Sequence, residues 1–190
     1  MKPQVTLVGN CQTKALCWYF GQLDQPMDIK WLCMEGFRKT TWGPSNTFMD
    51  RDCTTIACPI EGVKRLGSSD YVVYQPMHIK TSENYNYVQI KKHARKGKLI
   101  SISVFYYEPD DPEQEAFEGM IERAEKFNID IPAHKIVEKH RDKIFPPYKN
   151  HPPAFYFLEL IREICMKTGW NYYSEERYIQ LLKEKWPFGV

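Results

Sequence analysis

Three short segments carry the side chains of this chain that could do chemistry. The first is Gly9-Asn10-Cys11-Gln12, which follows the apolar run Val5-Thr6-Leu7-Val8. A strand, a glycine turn and a helix in that order would place Cys11 at a helix N-terminus. Unpaired backbone N–H groups and the helix dipole there favour a thiolate, the arrangement of a nucleophile at a strand–turn–helix elbow. Gly9 would give the turn its freedom, and Asn10 would offer an amide to a developing oxyanion. The same spacing also suits an inert buried thiol behind an ordinary Asn cap, and the turn by itself leaves both readings open.

The second segment is Gln75-Pro76-Met77-His78-Ile79-Lys80, at the end of the strand-like run Asp70–Gln75. A neutral amide can stabilise negative charge without changing protonation state, and His78 and Lys80 could reach a phosphate or a carbonyl. A turn of solvated polar residues fits equally. The third is Tyr148-Lys149-Asn150-His151-Pro152-Pro153-Ala154, where two prolines stiffen the backbone ahead of a helix. A His held there is a candidate general base, or else a capping residue. His93, His134 and His140 lie on charged helical stretches and are expected at the surface.

A thiol, two amides and a histidine are the parts of an acyl-transfer site. The sequence has no metal-ligand constellation, no Gly-x-x-x-x-Gly-Lys-Ser/Thr loop and no Gly-x-Gly-x-x-Gly. No metal is therefore expected, and nucleotide hydrolysis and dinucleotide redox chemistry lose their support.

The elements that must position these residues follow from periodicity. Short β-branched or alternating runs predict strands at 4–8, 28–34, 70–75 and 98–105. Helical spacing predicts helices at 13–23, 55–66, 82–96, from Asp111-Pro112-Glu113-Gln114 onward, at 133–143, 154–168 and 175–186. Pro59 should weaken the second helix, Ser82 and Gly97 should cap the third, and Gln114 should close a capping box with Asp111. Gly36–Cys53 reads as a long loop. Strands alternating with helices imply an α/β fold of three layers. Its mostly parallel sheet of four to five strands is covered on both faces, and the last third is helical.

The bulk numbers fit that picture. The 190 residues suit one domain, 1–190, with a sizeable core. A net charge of +2, spread along the chain, gives no nucleic-acid footprint. No apolar stretch reaches the roughly 20 residues of a membrane span, and the N-terminus lacks a signal-peptide core, so a cytoplasmic protein is expected. The 6 cysteines form no Cys-x-x-Cys pair, which argues for thiols over zinc or disulfides.

Val-Gly-Asn-Cys-Gln near the N-terminus, Asp-Tyr-Val-Val-Tyr-Gln-Pro in the middle and Phe145 to Asn150-His151-Pro152 before a late helix resemble the WcbI-like family of polysaccharide-biosynthesis acetyltransferases. The resemblance spans roughly residues 4–170. It implies a coenzyme A-binding enzyme that moves acetyl from acetyl-CoA to a sugar hydroxyl or amine of a glycan. The family in turn resembles the SGNH hydrolases. In that likeness Cys11 takes the place of their serine, Gln75 falls near their oxyanion-hole amide and His151 matches their late histidine. Where those enzymes carry Asp three residues before the His, this chain has Tyr148, so the third member of a triad is unassigned.

The coenzyme is expected over Gly9, Asn10, Cys11 and Gln12, with Lys14, His78 and Lys80 as cations for its phosphates. The loop around Trp42 and the pair Tyr106-Tyr107 are candidates for the acceptor groove. Either Cys11 carries the acetyl group, or His151 activates the acceptor directly and Cys11 shapes the pocket. An esterase or deacetylase using water, and a non-enzymatic ligand-binding domain, are the rival readings.

Overall fold

The computed structural model describes residues 2–33, 47–49, 55–57, 59–76, 87–105, 113–144 and 152–184. They form two compact units, one of residues 1–21 and 26–101, the other of residues 22–25 and 102–190.

The first unit is built on a sheet whose strands are β1 (Gln4–Gly9), β2 (Asp28–Cys33), β3 (Thr47–Met49), β4 (Thr55–Ala57), β5 (Tyr71–Tyr74) and β6 (Lys98–Ser101). Their order is β4-β3-β2-β1-β5-β6. Strands β2, β1, β5 and β6 are mutually parallel, while β3 and β4 extend the sheet antiparallel beyond β2. The chain steps from β1 to β2 on one side and returns to β5 on the other. The strand order therefore reverses at β1, the place where open sheets of this kind leave a crevice at their carboxyl ends.

Alternation along β1 explains the cover on both faces. Val5 and Leu7 point one way, towards α1 (Cys11–Phe20), whose Thr13 accepts a hydrogen bond from Trp31 Nε1 of β2 at 2.9 Å. Thr6 and Val8 point the other way, towards α2 (Pro59–Ser68) and α3 (Tyr87–His93). There Val8, Leu32, Leu66, Val72, Tyr74, Ile90 and Ala94 form one buried cluster. Each large apolar side chain buried in this way contributes about 1.5–3 kcal/mol. Arg65 anchors α2 beneath the sheet, with Nη1 2.6 Å from Asp28 Oδ2, Nη2 donating to the Asp28 carbonyl and Nε donating to Thr6 Oγ1.

The second unit is helical: α4 (Glu113–Phe127), α5 (Ala133–Lys139), α6 (Arg141–Ile144), α7 (Ala154–Thr168) and α8 (Glu175–Lys183). Helix α7 runs over the span its pattern predicts. It buries Phe157, Leu158, Leu160, Ile161, Ile164 and Cys165, and ends at Gly169 with φ +73°. That left-handed conformation favours glycine. Residues 22–25 are held against the start of α8: Arg177 donates to Gln22, and the backbone N–H groups of Ser174 and Asn171 donate to Asp24 and Gln25.

The parallel sheet, the helices on its two faces and the helical last third are as the sequence predicts. Several local expectations are corrected. Helix α1 starts at Cys11 and ends at Phe20 instead of running 13–23. The predicted loop 36–53 holds β3, and the predicted helix 55–66 is β4 followed by α2. Pro59 opens α2, where its missing N–H costs nothing.

Gly97 caps no helix, because α3 ends at His93; a Cβ on Gly97 would lie 2.6 Å from the Ser69 carbonyl oxygen. The fourth parallel strand stops at Ser101, and Ile102 pairs instead with Ile131. The helix predicted at 133–143 breaks at His140, and His140 is largely buried, with 18% of its side chain exposed. Gln114 donates to Glu118, one turn on. Ser82 and Asp111 lie outside the described residues.

Candidate functional site

The site is assembled where β1 and β5 end side by side. Asn10, the residue after β1, caps α1: its side-chain oxygen accepts the Gln12 N–H at 3.0 Å. Its carbonyl accepts the N–H groups of Thr13 and Lys14 at 3.0 and 3.3 Å, and the Thr13 hydroxyl at 2.7 Å. Cys11 is thus the first residue of the helix, and it is exposed.

Gln75, the residue after β5, grips the same turn from the neighbouring strand. Its backbone N–H donates to the Val8 carbonyl at 2.9 Å, and its side-chain Oε1 accepts the Asn10 N–H at 3.1 Å. The side chain is buried, with the residue 1% exposed. Gly9 lies inside this clamp. A Cβ there would press on Gln75 Oε1 and would sit 2.6 and 2.7 Å from Thr13 Cγ2 and Oγ1. The glycine is required by close approach; among the described residues the only glycine with positive φ is Gly169. Thr13 completes the support by joining the Asn10 carbonyl to the Trp31 indole.

Both side-chain amides spend their oxygens on backbone N–H groups, Asn10 on Gln12 and Gln75 on Asn10. Each amide also carries an NH2 group, a donor suited to negative charge. The donors, the exposed thiol and the half-buried Lys14 all belong to this turn or its immediate support. Gln12, expected to meet a cofactor, is 5% exposed. His78, Lys80 and His151 lie outside the described residues, as do Trp42, Tyr106 and Tyr107.

The remaining described thiols contrast with Cys11. Cys17 is buried in α1, and burial pushes the Cys165 thiol up to about 12. Pattern reading missed Thr13 and Trp31 as supports of the turn. The one local signal was a hydroxyl four residues after Gly9, which carries no information until Trp31 is brought beside it.

Fold and site together define an α/β protein whose sheet reverses strand order at a capped, thiol-bearing turn. No family model matches the chain, and no curated protein is significantly similar to it. Among the described residues no group of three or more His, Cys, Asp or Glu side chains could hold a metal ion. No described helix is long and apolar enough to cross a membrane.

Proposed function

We propose that this chain is an acyltransferase that takes acetyl from acetyl-CoA and passes it to a hydroxyl or amine of a sugar, with Cys11 at the centre of the site. The observation that carries the reading is the Cys11 turn itself. An exposed thiol opens a helix at the carboxyl end of β1, and two amides beside it have their oxygens already committed. Such a turn suits a thioester donor, because thiol–thioester exchange is nearly balanced in free energy.

In this mechanism Cys11 Sγ attacks the thioester carbonyl. The carbonyl oxygen gains negative charge facing the NH2 donors of Asn10 and Gln75, and coenzyme A departs as a thiolate that takes up a proton. The acceptor oxygen or nitrogen then attacks acetyl-Cys11. Its proton passes to a base, the role that the WcbI-like resemblance assigns to His151, and the Cys11 thiolate is released. Each oxyanion donor of this kind is typically worth about 10²–10³ in rate. Lys14 is the described cation nearest in sequence to the turn, and the coenzyme phosphates would draw on it.

Intact-mass measurement after mixing with acetyl-CoA tests the reading. The expected result is a transient acetyl adduct on the wild type that is missing from Cys11→Ala, together with a coenzyme A-dependent rise in Tm. A ligand at about 100 times its Kd stabilises a fold by about 2.7 kcal/mol. Full transfer activity in Cys11→Ala would overturn the covalent step. No rise in Tm with coenzyme A or acetyl-CoA would overturn the choice of donor.

A further inference from the structure

The second unit contains a cavity of about 280 Å³ between α5 and α7, built from residues that the Cys11 turn does not use. Its two helical walls carry opposite charge. Helix α5 contributes Lys135 and Lys139, one turn apart, and α7 contributes Glu159 and Glu163, also one turn apart. Ile131 and Ile136, both buried, add apolar surface to the lining, and Asp130 and His140 also border it. Lys135, Lys139 and Glu163 make no ion pair among the described residues, so the walls do not neutralise each other directly.

Glu159 is the most deeply buried charge of this cavity. It is 4% exposed, and a carboxylate that deep is costly unless its oxygens are well paired. Among the described residues its hydrogen bond comes from the Tyr178 hydroxyl to Oε1 and is long, at 3.4 Å. Arg162, itself mostly in solvent, is 3.8 Å from the same oxygen. His140 Nε2 is 3.3 Å from Oε2 but makes no hydrogen bond among the described residues. A carboxylate has about four acceptor positions, and this one is under-used at the wall of a cavity. An ammonium group would satisfy it, and a lysine pair on the other helix would take the opposite end of the same molecule.

We infer that the α5–α7 cavity is a binding site for a small aliphatic zwitterion, its primary ammonium held by Glu159 and Glu163 and its carboxylate by Lys135 and Lys139. The apolar stretch between the two charges lies on Ile131 and Ile136. This site is independent of the acyl-transfer reading and stands or falls without it.

The test uses the full chain and γ-aminobutyrate as the probe, with butylamine and butyrate as one-charge controls. Binding is read by saturation-transfer NMR and by the rise in Tm. The zwitterion should bind with a Kd in the millimolar range or below, and each control should bind at least about tenfold more weakly. Glu163→Gln and Lys139→Gln change half-buried or exposed side chains, so they should fold normally and each weaken the zwitterion about tenfold. Glu159→Gln should abolish binding; if it fails to fold, the other two variants still decide. Butylamine binding as tightly as γ-aminobutyrate, undiminished binding in Lys139→Gln, or no binding of any probe up to about 10 mM would each overturn the assignment.

Discussion

The Asn10 backbone N–H donates to Gln75 Oε1 at 3.1 Å, across a sequence separation of 65 residues. The residue that follows β5 therefore holds the turn that follows β1, and the helix carrying Cys11 starts from a fixed point. Gln75→Leu keeps the volume and removes the acceptor. It should destabilise the fold by about 1–3 kcal/mol, the cost of orphaning a partly buried N–H. Urea denaturation reads that difference directly, and an unchanged midpoint would mean the turn does not depend on Gln75.

Asn10 caps α1, and under the proposed function it also donates to the oxyanion; one substitution separates the two. Asp in its place keeps the capping oxygen and suits a helix N-terminus, but it has no NH2 group. Asn10→Asp should hold the wild-type Tm within a degree or two and lose about 10²–10³ in acetyl transfer. Asn10→Ala should lose the same activity and in addition about 1 kcal/mol of stability. Equal activity in wild type and Asn10→Asp would remove Asn10 from the oxyanion site.

Gly9→Ala places a methyl group against Gln75 Oε1 and the Thr13 side chain. Overpacking of this order costs typically about 1–3 kcal/mol. Because Thr13 also holds the Asn10 carbonyl and Trp31, relief of the clash should disturb the start of α1. Loss of activity should accompany the drop in Tm, and a fully stable, fully active Gly9→Ala would contradict the close approach.

The parts of this molecule that sequence pattern exposes are those set by local chemistry. Val5 to Val8 read as a strand because they are apolar and bounded by Gly9. Helix α7 was legible to its ends because Pro152-Pro153 precede it and Gly169 follows it. Strands β3 and β4 were not legible: three residues each carry no period, and their pairing depends on β2. Pro59 reads as a breaker or a starter according to where the helix begins. His140 and Glu159 look like members of charged, solvated helix faces; their burial comes from α5 and α7 meeting, which no local pattern records. At the candidate site the residue type of Gln75 was informative. Which end of its amide faces the turn is a matter of tertiary placement.

Thiol labelling should discriminate sharply among the described cysteines. Cys11 is exposed, Cys17 is buried, and Cys165 is both buried and held protonated by its pKa of about 12. The thiolate is the reacting species, so near pH 8 an alkylating reagent should modify Cys11 quickly and leave Cys17 and Cys165 untouched until the protein unfolds. Peptide mapping after a short pulse checks this. Cys165 reacting as fast as Cys11 in the folded protein would show that the α7 core opens.

His134 gives the fold a pH dependence of definite sign. It sits on α5 facing the Phe117 ring of α4 at 6.3 Å, with Nδ1 buried and without a hydrogen bond among the described residues. Burial, and then the neighbouring Lys135, lower its pKa from the ordinary 6.5, against opposing pulls from Glu138, Glu125 and the Met120 backbone. His93 is lowered in the same way by burial and by Lys92 and Arg95. In the unfolded chain these groups take up protons at a higher pH than in the folded one, so stability rises with pH between the two values. It is complete above 6.5 and is lost as pH falls below that point. The urea midpoint should accordingly be lower at about pH 5.5 than at about pH 7.5, and His134→Gln should narrow the gap. An imidazole NMR titration with its midpoint above 6.5 for His134 would reverse the sign of this contribution and sink the explanation.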